Sequence, residues 1–137
     1  MRSFFDTNVL VYLFDTDAPE KQEKSRILLE NETQSGRLVI STQVLQEFYV
    51  TATRKLAEPL SAKEGEETIR HLSTFPVIRI EVEHILGAVQ RSQDLGFSFW
   101  DALIVETALS SGSTVLYTED LQHGQIIEGL EIINPFV

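Results

Sequence analysis

A parallel α/β protein, with helices on both faces of a short sheet, is what this sequence predicts, and three observations carry the prediction. Short runs with strand character (Ser3-Phe4-Phe5, Leu38-Val39-Ile40, Val77-Ile78-Arg79-Ile80, Thr114 to Tyr117, Leu130 to Ile133) alternate with longer segments of helical character. The connections between most of these runs are long enough for crossovers, which parallel neighbours require. The 137 residues, 42% of them hydrophobic, suffice for one domain over 1–137 whose core needs neither disulfide nor structural metal.

The elements follow in order. Ser3 to Phe5 forms the first strand and stops at Asp6-Thr7-Asn8, three residues that favour helix starts. Val9, Leu10, Tyr12 and Leu13 then begin a brief apolar helix. Pro19 opens a helix through Glu20 to Lys24 that runs to Ser35, and Gly36 closes it. After the buried strand Leu38–Ile40, Thr42 caps a helix whose apolar side is Val44, Leu45, Phe48, Tyr49 and Ala52. Ser61-x-x-Glu64 has the form of a reciprocal cap at the start of a helix through His71. The strand Val77–Ile80 precedes a helix around Ile85 to Leu95, with Gly96 behind it. Ser98 to Ser111 is helical again, and its segment Phe99 to Val105 is apolar nearly all round, so this helix should be largely buried. Strands at 114–117 and 130–133 complete the sheet. No internal repeat, low-complexity tract or linker divides the chain.

Composition narrows the function classes. The absence of cysteine excludes a disulfide framework, a zinc–thiolate site and a thiol nucleophile, and fits a reducing cytoplasm. The longest apolar run, Val9 to Phe14, is far too short to cross a bilayer, and Asp6 interrupts any signal-peptide core. A cytoplasmic protein without membrane attachment is expected. Formal net charge is −10, and residues 92 to 137 carry seven acids (Asp94, Asp101, Glu106, Glu119, Asp120, Glu128, Glu131) and no Lys or Arg. A protein that coats duplex nucleic acid should be basic, because phosphate neutralisation supplies most non-specific affinity. This chain is the opposite. Most of its acids are expected to be solvated surface, and a few to converge on a divalent cation.

Open parallel sheets bind ligands beyond the carboxyl ends of their strands, and four acids are candidates there, two at strand ends and two on helices that would pack against the same sheet. Asp6 follows the first strand and also reads as a helix cap. Asp120 lies just past the strand 114–117 and also reads as a turn residue. Asp101 sits in the most apolar helix, where an unpaired carboxylate is expensive, though Ser98-x-x-Asp101 is also a possible capping box. Glu47 lies on the margin of an apolar helical stripe. Brought within a few ångströms, four carboxylates would repel and raise one another's pKa unless a cation neutralised them. Oxygen-only ligation suits Mg²⁺ or Mn²⁺, which keep several waters and bind substrate phosphate. Spacing alone does not establish that the four converge.

Phe5-Asp6-Thr7-Asn8-Val9-Leu10, Gln46-Glu47-Phe48, Phe99-Trp100-Asp101-Ala102-Leu103-Ile104 and Tyr117-Thr118-Glu119-Asp120-Leu121 resemble, in order, the motifs of PIN domains. The nearest resemblance is to VapC-type toxins, the ribonuclease components of toxin–antitoxin pairs, and it spans nearly the whole chain. The resemblance implies an α/β/α sandwich with a short central parallel sheet. It also implies a Mg²⁺-dependent endoribonuclease that cleaves structured RNA with a metal-activated water, Mn²⁺ being the alternative ion. Asp6, Glu47, Asp101 and Asp120 fall on the family's acidic positions. Asp6 and Asp101 are assigned to the principal ion, and Glu47 and Asp120 complete the ring. Glu119 is the alternative carboxylate beside Asp120; Asn8, or Thr7 and Thr118, are polar supports. A cognate antitoxin, an RNA substrate and a homodimer are the implied partners. His71 and His84 read as helix-surface residues, and His123 as a loop residue for which a structural role is favoured over contact with substrate. The bases nominated for phosphate are Arg54, Lys55 and Arg91.

Two other readings compete. A receiver or haloacid-dehalogenase-like phosphoryl-transfer domain also places an Asp after its first strand, but such domains use a late lysine and the last here is Lys63. They also pair two acids near the first motif, where this chain has Asp6-Thr7-Asn8. A catalytically inactive PIN-fold interaction module is the other alternative, although all four acids are present.

Overall fold

The computed structural model describes residues 1–137. Six strands form one sheet: β1 (Arg2–Phe5), β2 (Leu38–Ser41), β3 (Val77–Ile78), β4 (Ser113–Tyr117), β5 (Ile126–Ile127) and β6 (Leu130–Ile133). Their spatial order is β3-β2-β1-β4-β6-β5. All pairs are parallel except β5 with β6. The helices are α1 (Thr7–Val11), continued by a 3₁₀ turn at Tyr12–Phe14, α2 (Pro19–Gln34), α3 (Thr42–Arg54), α4 (Ala62–Leu72), α5 (Val82–Leu95) and α6 (Phe99–Ser110). No helix is long and apolar enough to cross a membrane.

The predicted parallel sheet is present, and its burial shows why these segments are strands. Ser3, Phe4 and Phe5 are all buried, as are Leu38 to Ser41. Successive strand residues point to opposite faces, so unbroken burial means that both faces of the central strands are covered. The core is one cluster built on Phe4, Phe5, Val39, Ile40, Leu116 and Ile132 from the sheet, with Val9, Leu10, Val44, Phe48, Ile104 and Val105 from helices. Each such side chain removed from water contributes about 1.5–3 kcal/mol.

Several expected boundaries hold. Pro19 occupies the first turn of α2, Ser61 and Glu64 make the reciprocal cap of α4, and Gly96 ends α5 in the left-handed conformation at φ 70°. Others move, for local reasons. Ser41, not Thr42, caps α3: it is the last residue of β2, still extended, and its hydroxyl accepts from the Val44 N–H at 3.3 Å. Strand thus passes into helix with no linker, and this shortens β3. Val77 and Ile78 pair with Ile40 and Ser41, but beyond Ser41 the neighbour is helical, so Arg79 and Ile80 have no strand to join. The Ile80 N–H donates instead to Thr42 Oγ1 at 3.2 Å.

α5 begins at Val82, before Ile85, because His84 Nδ1 accepts from the Glu81 N–H at 2.9 Å and extends the helix by most of a turn. β5 was not expected. It folds back on β6 through Glu128 and Gly129, both with positive φ (49° and 88°), which matches the twist of a two-residue hairpin.

Candidate active site

From β1 the chain proceeds outward through β2 to β3, then returns to the other side of β1 at β4. That reversal opens a crevice at the carboxyl ends of β1 and β4. Phe5 and Tyr117, the last residues of these strands, are register partners, so Asp6 and Thr118 leave the sheet side by side. The Asp6 N–H donates to the Tyr117 carbonyl at 3.0 Å as the final rung. Asp6 is only 5% exposed. Its Oδ1 accepts from the Thr7 N–H at 2.7 Å and its Oδ2 from Thr118 Oγ1 at 2.8 Å. Burial pushes the Asp6 carboxyl up to about 7 against those two hydrogen bonds, and the charges of Asp120 and Glu47 push the same way.

Glu47 reaches the site from α3. Its Oε1 accepts from Thr7 Oγ1 at 2.7 Å, so Thr7 alone fixes two carboxylates, Asp6 through its N–H and Glu47 through its hydroxyl. Gln43, one helical turn earlier and buried, donates from Nε2 to Glu47 Oε2 at 3.3 Å and to the Trp100 carbonyl at 3.2 Å. Asp101 comes from the first turn of α6, where Ser98 Oγ accepts from the Asp101 N–H at 3.1 Å. The cap is this single bond and not the reciprocal box, and Asp101 lines the cleft. Burial raises its carboxyl against the Ser98 hydroxyl, and Glu47 raises it further. Asp120 is held by Asn8, whose Nδ2 donates to Oδ2 at 2.9 Å, while its own N–H donates to Thr118 Oγ1 at 3.1 Å. Burial and then Asp101 raise its carboxyl.

The structure therefore brings the four predicted acids together around one cleft of about 690 Å³. Their mutual repulsions close a ring: Asp6 with Glu47 and Asp120, Glu47 with Asp101, and Asp101 with Asp120. No three carboxylates are packed tightly enough to enclose a bare ion. The donor set still fits a hydrated Mg²⁺ or Mn²⁺, because such ions keep most of their waters and take one or two carboxylates directly. All the donors are hard oxygens, and a carboxyl raised to about 7, by burial first and by the charges of Asp120 and Glu47 after it, gains most from a cation.

Glu119 goes elsewhere. It accepts from the Tyr12 hydroxyl and from Lys21 Nζ at 2.9 Å, and Nζ lies 4.8 Å from the Tyr12 ring centroid. Its charge is thus neutralised outside the cleft, and Asp120 is the member of the pair that lines it. His123 has the structural role expected of it: its Nδ1 accepts from the Asn134 N–H at 2.9 Å, and it does not line the cleft. Of the nominated bases, Lys55 lines the cleft and Arg54 does not. Arg91 is locked between Glu106 at 3.0 Å and Glu128 at 2.6 Å.

The cleft residues not nominated from the sequence include Gln43, Tyr12, Trp100 and a further carboxylate, Asp15. The i, i+4 spacing of Gln43 and Glu47 was a readable signal for the first. Trp100 was expected to be covered with the rest of its helix and is 60% exposed.

No curated protein sequence matches the chain. Among solved structures, a toxin–antitoxin complex from Klebsiella pneumoniae is similar at 24% identity and a TM-score of 0.71, covering 97% of each chain. The sarcin–ricin loop cleaving toxin VapC20 of Mycobacterium tuberculosis is similar at 19% identity and a TM-score of 0.68, over 86% of this chain and 89% of its own. DNA-bound VapBC from Salmonella typhimurium gives 21% identity and a TM-score of 0.67, over 96% of both chains. These likenesses are of fold. The sequence pattern of the PIN domain, however, matches residues 3–127, which take in all four acids and both strands that aim them, and the chain belongs to the PIN domain family.

Proposed function

We propose that this protein is a Mg²⁺-dependent endoribonuclease, with Mn²⁺ as an alternative ion, and the toxin of a toxin–antitoxin pair. The observation that carries the reading is the ring of four mutually repelling carboxylates at the strand-order reversal of a PIN fold. Asp6 and Asp101 would hold the ion, with Glu47 and Asp120 completing the site directly or through water. A bound ion supplies an activated water and stabilises the charge that develops on the phosphodiester. The chain's own residues orient the donors. Thr7 and Thr118 fix Asp6, Thr7 and Gln43 fix Glu47, and Asn8 fixes Asp120. No side-chain nucleophile is required.

Structured RNA with exposed single-stranded sites is the proposed substrate, because a net charge of −10 leaves few cations to grip a uniform duplex backbone. The proposed partner is an antitoxin whose basic tail enters the acidic cleft and replaces the ion's charge. It is supported by similar folds that occur in toxin–antitoxin complexes. A cytoplasmic homodimer is the proposed active form.

Purified protein incubated with structured RNA should cut it at a few sites in Mg²⁺. Excess EDTA, Asp6→Asn or Asp101→Asn should each abolish cleavage with the circular dichroism spectrum unchanged. Full activity in EDTA overturns the proposal.

A further inference from the structure

The helix α3 runs the length of the cleft. Gln43, Glu47, Val50 and Thr51 line it from one ridge, and Lys55 lines it from the helix end. At 1.5 Å per residue, Gln43 and Lys55 are about 18 Å apart along the axis. Trp100 stands at the Gln43 end, since Gln43 donates to its carbonyl at 3.2 Å. Glu47, joined through Thr7 to Asp6, lies between. The order along the cleft is therefore Trp100, then Glu47 with Asp6, then Lys55.

Both end residues are free for a ligand. Trp100 is 60% exposed, although burying an indole is among the most favourable things a fold can do, and its ring packs in a T-shaped pair with Phe99 at 5.1 Å. Lys55 is the one Lys or Arg that lines the cleft, and it takes part in no ion pair. An aromatic platform and a cation on opposite sides of an acidic centre match a single strand of RNA. An unpaired base presents a face for stacking, and its backbone presents a phosphate farther along. A duplex keeps its bases stacked on one another and offers the indole nothing.

We propose that Trp100 and Lys55 form a nucleotide subsite: the indole stacks an unpaired base on one side of the acids, and Lys55 holds a backbone phosphate on the other. The subsite rests on the ribonuclease reading above and names what that site selects, an unstacked base. It also explains how so acidic a chain holds RNA. Stacking needs no positive charge, so affinity comes from one ring and one lysine instead of a basic surface.

Trp100 is the only tryptophan in the chain, so its emission reports on this subsite alone. Asp6→Asn protein in Mg²⁺, titrated with a short single-stranded RNA of mixed sequence, should show saturable quenching, and the same RNA annealed to its complement should not. Measured by the anisotropy of labelled RNA, Trp100→Ala should weaken binding about 5- to 150-fold, while Trp100→Phe keeps most of it. Lys55→Ala should weaken all sequences alike and lower the log–log salt slope by about 1. In the active chain, Trp100→Ala should raise KM for RNA cleavage more than it lowers kcat.

Saturating RNA that leaves the emission unchanged, or equal affinity in Trp100→Ala, overturns the subsite even when the wild-type chain cuts RNA. Emission that responds to a co-expressed partner protein and never to RNA overturns it in favour of a docking role. Quenching by RNA without cleavage by the wild-type chain supports the subsite and removes the ribonuclease reading instead.

Discussion

Asp6 is where fold and chemistry conflict most directly. Its carboxyl sits near 7 in the folded chain against 3.8 as an ordinary aspartate, so between those pH values the folded state holds a proton that the unfolded state has released. The sign follows: stability of the metal-free protein falls as pH rises from about 4 to about 7, by an amount on the order of 4 kcal/mol, and levels off above. Asp101 and Asp120 are raised as well and add to the slope with the same sign. Urea denaturation across this range in EDTA should show the decline, and Asp6→Asn should remove part of it and be the more stable protein at neutral pH. A stability that rises through the window would contradict the burial argument. Thr118→Val should act the other way, deleting the hydroxyl that donates to Asp6 Oδ2 and raising the carboxyl further. Thr118→Ser keeps the bond and should behave as wild type in the same titration.

Among the elements, α3 carries two loads on two ridges. Val44, Phe48 and Ala52 are fully buried in the core, while Gln43, Glu47, Val50 and Thr51 line the cleft. Substitutions on the ridges should therefore separate. Phe48→Ala should cost about 3–5 kcal/mol in denaturant melts, because a fully buried ring leaves a cavity. Gln43→Ala should lose RNA cleavage more than stability, since it unties Glu47 from the Trp100 backbone. The same helix shows how far the sequence could be read. Its apolar stripe and the motif around Glu47 were legible because periodicity and residue type are local. Ser41 as its cap was not, because a residue that ends a strand and begins a helix shows no linker in the sequence. Trp100 was misplaced for a related reason. Hydrophobicity says that a ring gains from burial, but which side of α6 meets the core depends on how α5 packs against it. The sequence suggests a longer β3 than the fold has, because strand length is set by the neighbour's length, and it hides β5, because two residues make no period. The four acids were legible one by one; that they meet depends on the register of Phe5 with Tyr117, which only the folded chain reveals.

For the molecule as a whole, the acidic cleft predicts that divalent cations act as a folding ligand. Mg²⁺ at ten times its Kd should add about 1.4 kcal/mol of stability by mass action, seen as a rise in Tm that Asp6→Asn and Asp101→Asn abolish. Na⁺ at matched ionic strength separates binding from screening.

The sheet also ends in an unusual way on both sides. β3 and β5, its outermost strands, are two residues each. An edge strand offers a row of unpaired N–H and C=O groups on which a foreign strand can add, and fibrils grow by repeating that addition. Here either edge offers too few groups to hold an incoming segment in register. Long storage at high concentration should leave the protein negative for thioflavin fluorescence, and any oligomers that form should keep their helical circular dichroism, because the two-residue edges give β-pairing so little to build on.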